Sequence, residues 1–204
     1  MTHSPLPDWR GHTAVVVASG PSLDDEQIVH VEHAPVKTIA VNNSYEILGH
    51  PSAVYACDYL WWKLNHMKVK QNIHRQCLWT QDRAASEQFQ INHVQWEAKD
   101  GLGKRGLRVN GNSGAGAINL AYHFGARRIL LVGMDMKPGP NGEKHWHPDH
   151  PKPMVQAQQF DEWRKKMGVL AADLKTEGVT VVNCTPGSAL TCFPMGDLEQ
   201  ELVK

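Results

Sequence analysis

Five apolar residues, Ala14-Val15-Val16-Val17-Ala18, feed directly into the small-residue turn Ser19-Gly20-Pro21-Ser22. Asp24, Asp25 and Glu26 then open a helix-like stretch. Apolar residues without polar alternation suit a strand covered on both faces, as in a parallel sheet flanked by helices. The turn after such a strand exposes unpaired backbone N–H groups at a helix N-terminus, a favourable place for an anion. Gly20 permits close backbone approach to a ligand, and Ser19 and Ser22 add hydroxyls, so the run is a candidate phosphate site. It is equally readable as an ordinary strand-to-helix turn with Ser22 as N-cap.

The same alternation continues along the chain. Thr13–Ser19, Thr38–Asn42, Ala53–Cys57, Cys77–Thr80, Arg128–Gly133 and Val179–Cys184 read as strands. Asp24–His30, Tyr59–Lys70, Arg83–Gln90, Ser113–Phe124 and Met154–Glu177 read as helices, the last two closed by Gly125 and Gly178. Strand and helix in turn predict one doubly wound, mostly parallel α/β domain of Rossmann-like type, with its core over about residues 13–198. Glu97–Gly114 and Lys137–Pro153 break the rhythm as long Gly- and Pro-bearing connections, expected to be functional or mobile loops at the carboxyl edge of the sheet. The composition of the first fits a lid or plain disorder.

Composition bounds the function. The 204 residues carry 21 Lys and Arg against 21 Asp and Glu, so no global basic field points to nucleic acid or an anionic membrane. Lys68, Lys70, Lys104, Arg105 and Arg108 read as solvated surface. Cys57, Cys77, Cys184 and Cys192 form no C-x-x-C pair and read as free thiols of a reducing, cytoplasmic protein. The polar, proline-broken start is not a secretory signal, and no apolar run approaches a membrane span.

Three further constellations carry candidate chemistry. Asn110-Gly111-Asn112-Ser113-Gly114-Ala115-Gly116-Ala117 repeats the logic of the first turn, with small residues before an apolar-periodic helix. Close helix–strand packing is the competing explanation of its glycines. Lys144-His145-Trp146-His147-Pro148-Asp149-His150 places imidazoles beside the expected ligand edge, where a general base with an ordinary pKa near neutrality is useful. Its letters match a dinuclear zinc motif, but no histidine follows His150 to complete such a site. Asn42, Asn43 and Asp58 stand at strand ends, where amides read a base or ribose and a carboxylate holds Mg²⁺. Trp61, Trp62 and Leu64 behind them read as core.

In order, Ala18-Ser19-Gly20-Pro21-Ser22-Leu23, Val41-Asn42-Asn43, Asn112-Ser113-Gly114, Arg128-Ile129-Leu130-Leu131-Val132-Gly133-Met134-Asp135 and Val182–Leu190 followed by Phe193 resemble the bacterial lipooligosaccharide sialyltransferases. That outline is shared with the 6-hydroxymethylpterin diphosphokinase-like family and with uncharacterised phage proteins. The resemblance implies an inverting glycosyltransferase that takes a CMP-linked sugar and a hydroxyl acceptor, needs no cofactor and assembles as a homo-oligomer. It implies nucleotide binding by Gly20, Ser22, Asn42, Asn112 and Ser113; Ser19, Pro21, Asn43, Asp58, Gly114 and Asp135, in the same turns and at the same strand ends, are further nucleotide-binding candidates. His150 is implied as general base, with His147 in reserve. Ser19 stands where the family has asparagine, Cys57 and Asp58 replace another asparagine, and the two phosphate-binding tyrosines have no counterpart between Met136 and Lys144. Lys144 or Lys137 is expected to substitute for them. The aspartates Asp58 and Asp135 keep open an alternative, Mg²⁺-dependent diphosphoryl transfer, and a non-catalytic nucleotide-binding protein is the third possibility.

Overall fold

A computed structural model describes residues 5–148 and 159–204. The strands are β1 (Thr13–Val17), β2 (Lys37–Val41), β3 (Ala53–Tyr55), β4 (Leu78–Thr80), β5 (Asn92–His93), β6 (Arg128–Val132) and β7 (Thr180–Asn183). They form one parallel sheet in the order β5-β4-β3-β2-β1-β6-β7. The chain winds outward from β1 to β5 and then returns to the other side of β1. The order therefore reverses between β1 and β6, in register from Thr13–Arg128 to Val17–Val132.

The helices are α1 (Asp25–His33), α2 (Tyr59–Asn72), α3 (Arg83–Phe89), α4 (Ser113–His123), α5 (Phe160–Thr176) and α6 (Leu198–Leu202). Two apolar clusters divide them between the sheet faces. Ala14 and Val16 point into the cluster that holds α4 and α5, while Val15 and Val17 point into the one that holds α1, α2, α3 and α6. This is why β1 shows no polar alternation: both of its faces are covered.

Local chemistry sets the element ends. Asp24, not Ser22, caps α1, through a capping box in which its carboxylate accepts from Gln27 N and Gln27 Oε1 accepts from Asp24 N. Gly125 and Gly178 adopt the positive φ of helix-terminating residues. The two-residue β5 and the five-residue α6 are additional to the predicted elements. The last long helix is described from Phe160, so the predicted start at Met154 falls outside the described residues. Trp61 and Trp62 are buried, but Leu64 is exposed because it lies off the α2 face that they and Val69 form.

Residues 97–114 are packed rather than lid-like or disordered. Leu102 and Leu107 are buried, Leu107 N donates to Gln95 O, and Glu97 N donates to Leu107 O. Buried Asn110 and Asn119 accept from Gly101 N and Gly103 N, supplying partners that an irregular buried backbone needs. Two basic side chains there form ion pairs, Lys104 with Glu177 and Arg108 with Glu97. The four cysteines are free. No helix among the described residues is long and apolar enough to cross a membrane.

Small residues let α4 lie close on the sheet. A Cβ at Gly116 would meet Tyr55 Oη at 2.3 Å, whereas a Cβ at Gly168, in α5, would meet nothing within 4 Å. Gly116→Ala is therefore expected to cost about 1–3 kcal/mol by overpacking. Gly168→Ala is expected to add roughly 0.5–1 kcal/mol through helix propensity. Urea titration of both variants checks the opposite signs.

Candidate functional site

The carboxyl ends of β1, β2, β3 and β6, with the start of α4, surround a cavity of about 460 Å³ at the point where the strand order reverses. Open α/β sheets place ligands in such crevices. Of the residues singled out in the sequence, Ser19, Gly20, Pro21, Asn42, Asp58, Asn112, Ser113, Gly114, Asp135 and Lys144 line it, as does Lys137.

The first turn is held from behind by Asp135, a carboxylate only 5% exposed. Ser22 N donates to Asp135 Oδ1 at 3.2 Å and Ser22 Oγ to Oδ2 at 2.9 Å. Gly20 N donates to Gly133 O at 2.8 Å, and a Cβ at Gly20 would lie 1.9 Å from Asp135 Oδ2. Gly20 is thus demanded by the approach of Asp135. Ser19 Oγ contacts Val41 O and Ser44 Oγ. Most donors of this turn are therefore already satisfied inside the protein. A phosphate placed on it would compete with the Asp135 oxygens that already accept from Ser22 N and Ser22 Oγ.

Asp135 is itself braced by the segment after β7. Met134 N donates to Thr185 Oγ1, Ser188 Oγ to Met134 O, and Ala189 N to Asp135 O. Arg164 Nη1 donates to Met136 O at 2.7 Å, fixing a residue whose φ is +52°. Such a left-handed conformation at a non-glycine residue is a cost tolerated where the surroundings over-determine it, commonly at functional sites. Asn42, on the same wall, has φ +51°.

The second turn differs from the first. Asn112 caps α4 by accepting from Ala115 N at 2.9 Å, while its Nδ2, buried, has no partner. Ser113 N–H and Gly114 N–H meet no acceptor among the described residues, as expected in the first turn of a helix. Asn42 Oδ1 is likewise buried without a partner. Unsatisfied polar atoms are uncommon in native interiors. These two are shut off from water and do not face the open cavity.

Below them, Ser113 Oγ donates to Cys57 Sγ at 3.0 Å. Burial, with the nearby Asp58 charge, pushes the Cys57 thiol up, so it stays protonated rather than acting as a nucleophile. Tyr59, Trp61, Phe160 and Trp163 add aromatic surface to the cavity.

Three candidates stand elsewhere. Asn43 is outside the lining; its Oδ1 accepts from Trp61 Nε1 and its Nδ2 donates to Glu46. Ser22 faces Asp135 rather than the lining, and His147 is outside the lining too. His150 falls outside the described residues. Among the described residues, the histidine on the cavity wall is His145. Its ring stacks on His147 at 4.8 Å with the planes 3° apart, and Trp146 N between them donates to Ser19 O. Trp146, between them, packs against the apolar cluster that holds α1 and α2. Asp58 and Asp135 belong to no group of three close metal-ligating side chains among the described residues.

Comparison with protein-family models, with curated proteins and with solved structures finds no match. The geometry of the cavity therefore carries the functional argument.

Burial raises the Asp135 carboxyl above its ordinary value, against the lowering by Ser22 and Lys137. A carboxyl with a raised folded-state pKa contributes stability below its unfolded pKa, and that contribution is lost as pH rises through the folded value. Asp135→Asn keeps an acceptor for Ser22 N and removes this titration. Its stability relative to wild type is expected to rise as pH increases through and above the ordinary carboxylate range in denaturant titrations. A difference independent of pH would contradict the assignment.

Proposed function

We propose that this protein transfers a glycosyl group from a CMP-linked donor to a hydroxyl acceptor in the cavity between β1 and β6. The observation that carries the proposal is the switch-point cavity on which both small-residue turns, His145 and Lys144 converge. The resemblance in sequence supports the choice of donor. Ten of the residues that it, or the turns themselves, brought forward line this one cavity: Ser19, Gly20, Pro21, Asn42, Asp58, Asn112, Ser113, Gly114, Asp135 and Lys144.

In this mechanism an imidazole takes the proton of the acceptor hydroxyl. The acceptor oxygen forms its bond to the anomeric carbon as the bond from that carbon to the phosphate oxygen breaks. CMP departs, and the configuration inverts, because a general base without a covalent nucleophile implies direct displacement. His145 is the base among the described residues. Lys144 and Lys137, on the same wall, neutralise the charge that gathers on the leaving phosphate. No cofactor takes part.

Phosphoryl or diphosphoryl transfer from ATP is the second reading, favoured by the presence of both Asp58 and Asp135 on the cavity wall. Those two carboxylates would hold Mg²⁺, which would neutralise phosphate charge.

A thermal-shift panel of CMP, UDP and ATP, each with and without Mg²⁺, separates the readings. Stabilisation by CMP without metal is expected. Stabilisation by ATP that requires Mg²⁺ would favour the second reading, and no response to any nucleotide would overturn both. His145→Ala is expected to slow CMP release from a CMP-sugar by about 10²–10⁴-fold with CMP affinity retained. Lost affinity with intact turnover would remove His145 from the role of base.

A further inference from the structure

A second cavity, of about 530 Å³, lies between α1 and α6 and shares no lining residue with the one at the switch point. Asp24, Glu26, Asp197 and Glu199 line it together with His30, and among the described residues no Lys or Arg does. Two of these carboxylates are occupied by the helices themselves. Asp24 Oδ1 accepts from Gln27 N and caps α1, and Asp197 Oδ1 accepts from Gln200 N and caps α6.

Glu26 and Glu199 converge instead on His30. Glu26 and His30 stand four residues apart in α1, so their side chains share one face of the helix. Glu199 reaches them from α6, its Oε1 3.2 Å from His30 Nε2. One ligand atom from each of the three lies within 4.8 Å of the other two. Ligands arranged tetrahedrally around zinc stand roughly 3.4 Å from one another, so small rotations of the exposed Glu26 and Glu199 side chains close the set on one ion. An ion pair between a protonated His30 and Glu199 accounts for two of the groups and leaves the second carboxylate unexplained. A divalent cation accounts for all three and balances their charge.

We infer that Glu26, His30 and Glu199 bind one Zn²⁺ ion, which clasps α6 to α1. An imidazole with two carboxylates suits zinc, whereas Ca²⁺ and Mg²⁺ take oxygen ligands. Three protein ligands leave the fourth position to water. The uncompensated charges of Asp24 and Asp197 on the same wall add to the attraction for a cation. This site is independent of the nucleotide reading.

Calorimetric titration of Zn²⁺ into the chelator-treated full chain tests the inference in wild type, Glu26→Gln, His30→Gln, Glu199→Gln and His33→Gln, with circular dichroism reporting the fold of each. Glutamine keeps polarity at these surface positions and removes the charged or imidazole ligand. His33, on the same helix and outside the cluster, controls for adventitious binding by an exposed imidazole. Loss of even an outer-shell partner weakens metal binding by about 10–100-fold, so each of the three cluster variants is expected to weaken the zinc site at least that much. His33→Gln is expected to match wild type. Zinc is also expected to slow hydrogen exchange at the α6 amides of wild type and not of His30→Gln.

Zinc titrations that are the same in wild type and the three folded cluster variants would put the bound zinc elsewhere and overturn the inference. Absence of zinc binding in wild type would overturn it too. So would unchanged binding in Glu26→Gln alone, since His30 and Glu199 would then make only their ion pair.

Discussion

The double hydrogen bond from Ser22 to Asp135 joins the ends of the two strands between which the sheet reverses direction. It works only because the first turn carries glycine at position 20, where any side chain would collide with the carboxylate, and because Gly133 turns the chain at the end of β6. The Thr185, Ser188 and Ala189 contacts hold Asp135 from the far side. Three stretches distant in sequence are thereby locked at one rim, and the cavity is the space that this lock leaves beside α4.

The lock also assigns chemistry. A buried carboxylate that accepts two hydrogen bonds from a turn uses donors an anion would otherwise need. Glycine and serine at a strand end therefore do not by themselves make a phosphate cradle. The second turn keeps its donors because its cap, Asn112, spends one amide atom on the helix and leaves the other buried without a partner. Left-handed conformations at Asn42 and Met136, both on the cavity wall, are the kind of local cost that accompanies functional sites.

Much of the architecture was legible in the sequence because it rests on short-range pattern. The unbroken apolar runs of β1 and β6 are the consequence of two covered faces, and Gly125 and Gly178 end helices by backbone conformation alone. The capping box of α1 was also present as Asp24-x-x-Gln27, so the displaced cap was readable. Pairings over long distances were not. Nothing near Asn110 or Asn119 announces that they satisfy the backbone of residues 101 and 103, so that glycine-rich stretch resembled a mobile loop. The same holds for the site: the motifs identified the turns, but the carboxylate that occupies one of them lies 113 residues away. His145 was hidden because the sequence places three histidines within residues 145–150, and residues 144–148 form no strand or helix whose period would say which of them faces the cavity.

The most direct test of the switch-point cavity as the ligand site is to follow backbone amide signals of the labelled protein during titration with CMP. Concentration-dependent shifts are expected at Asn42, Ser113 and Gly114, with the amides of α1 and α6 unmoved. Shifts confined to α1, α6 and the residues between them, with Ser113 and Gly114 silent, would contradict it.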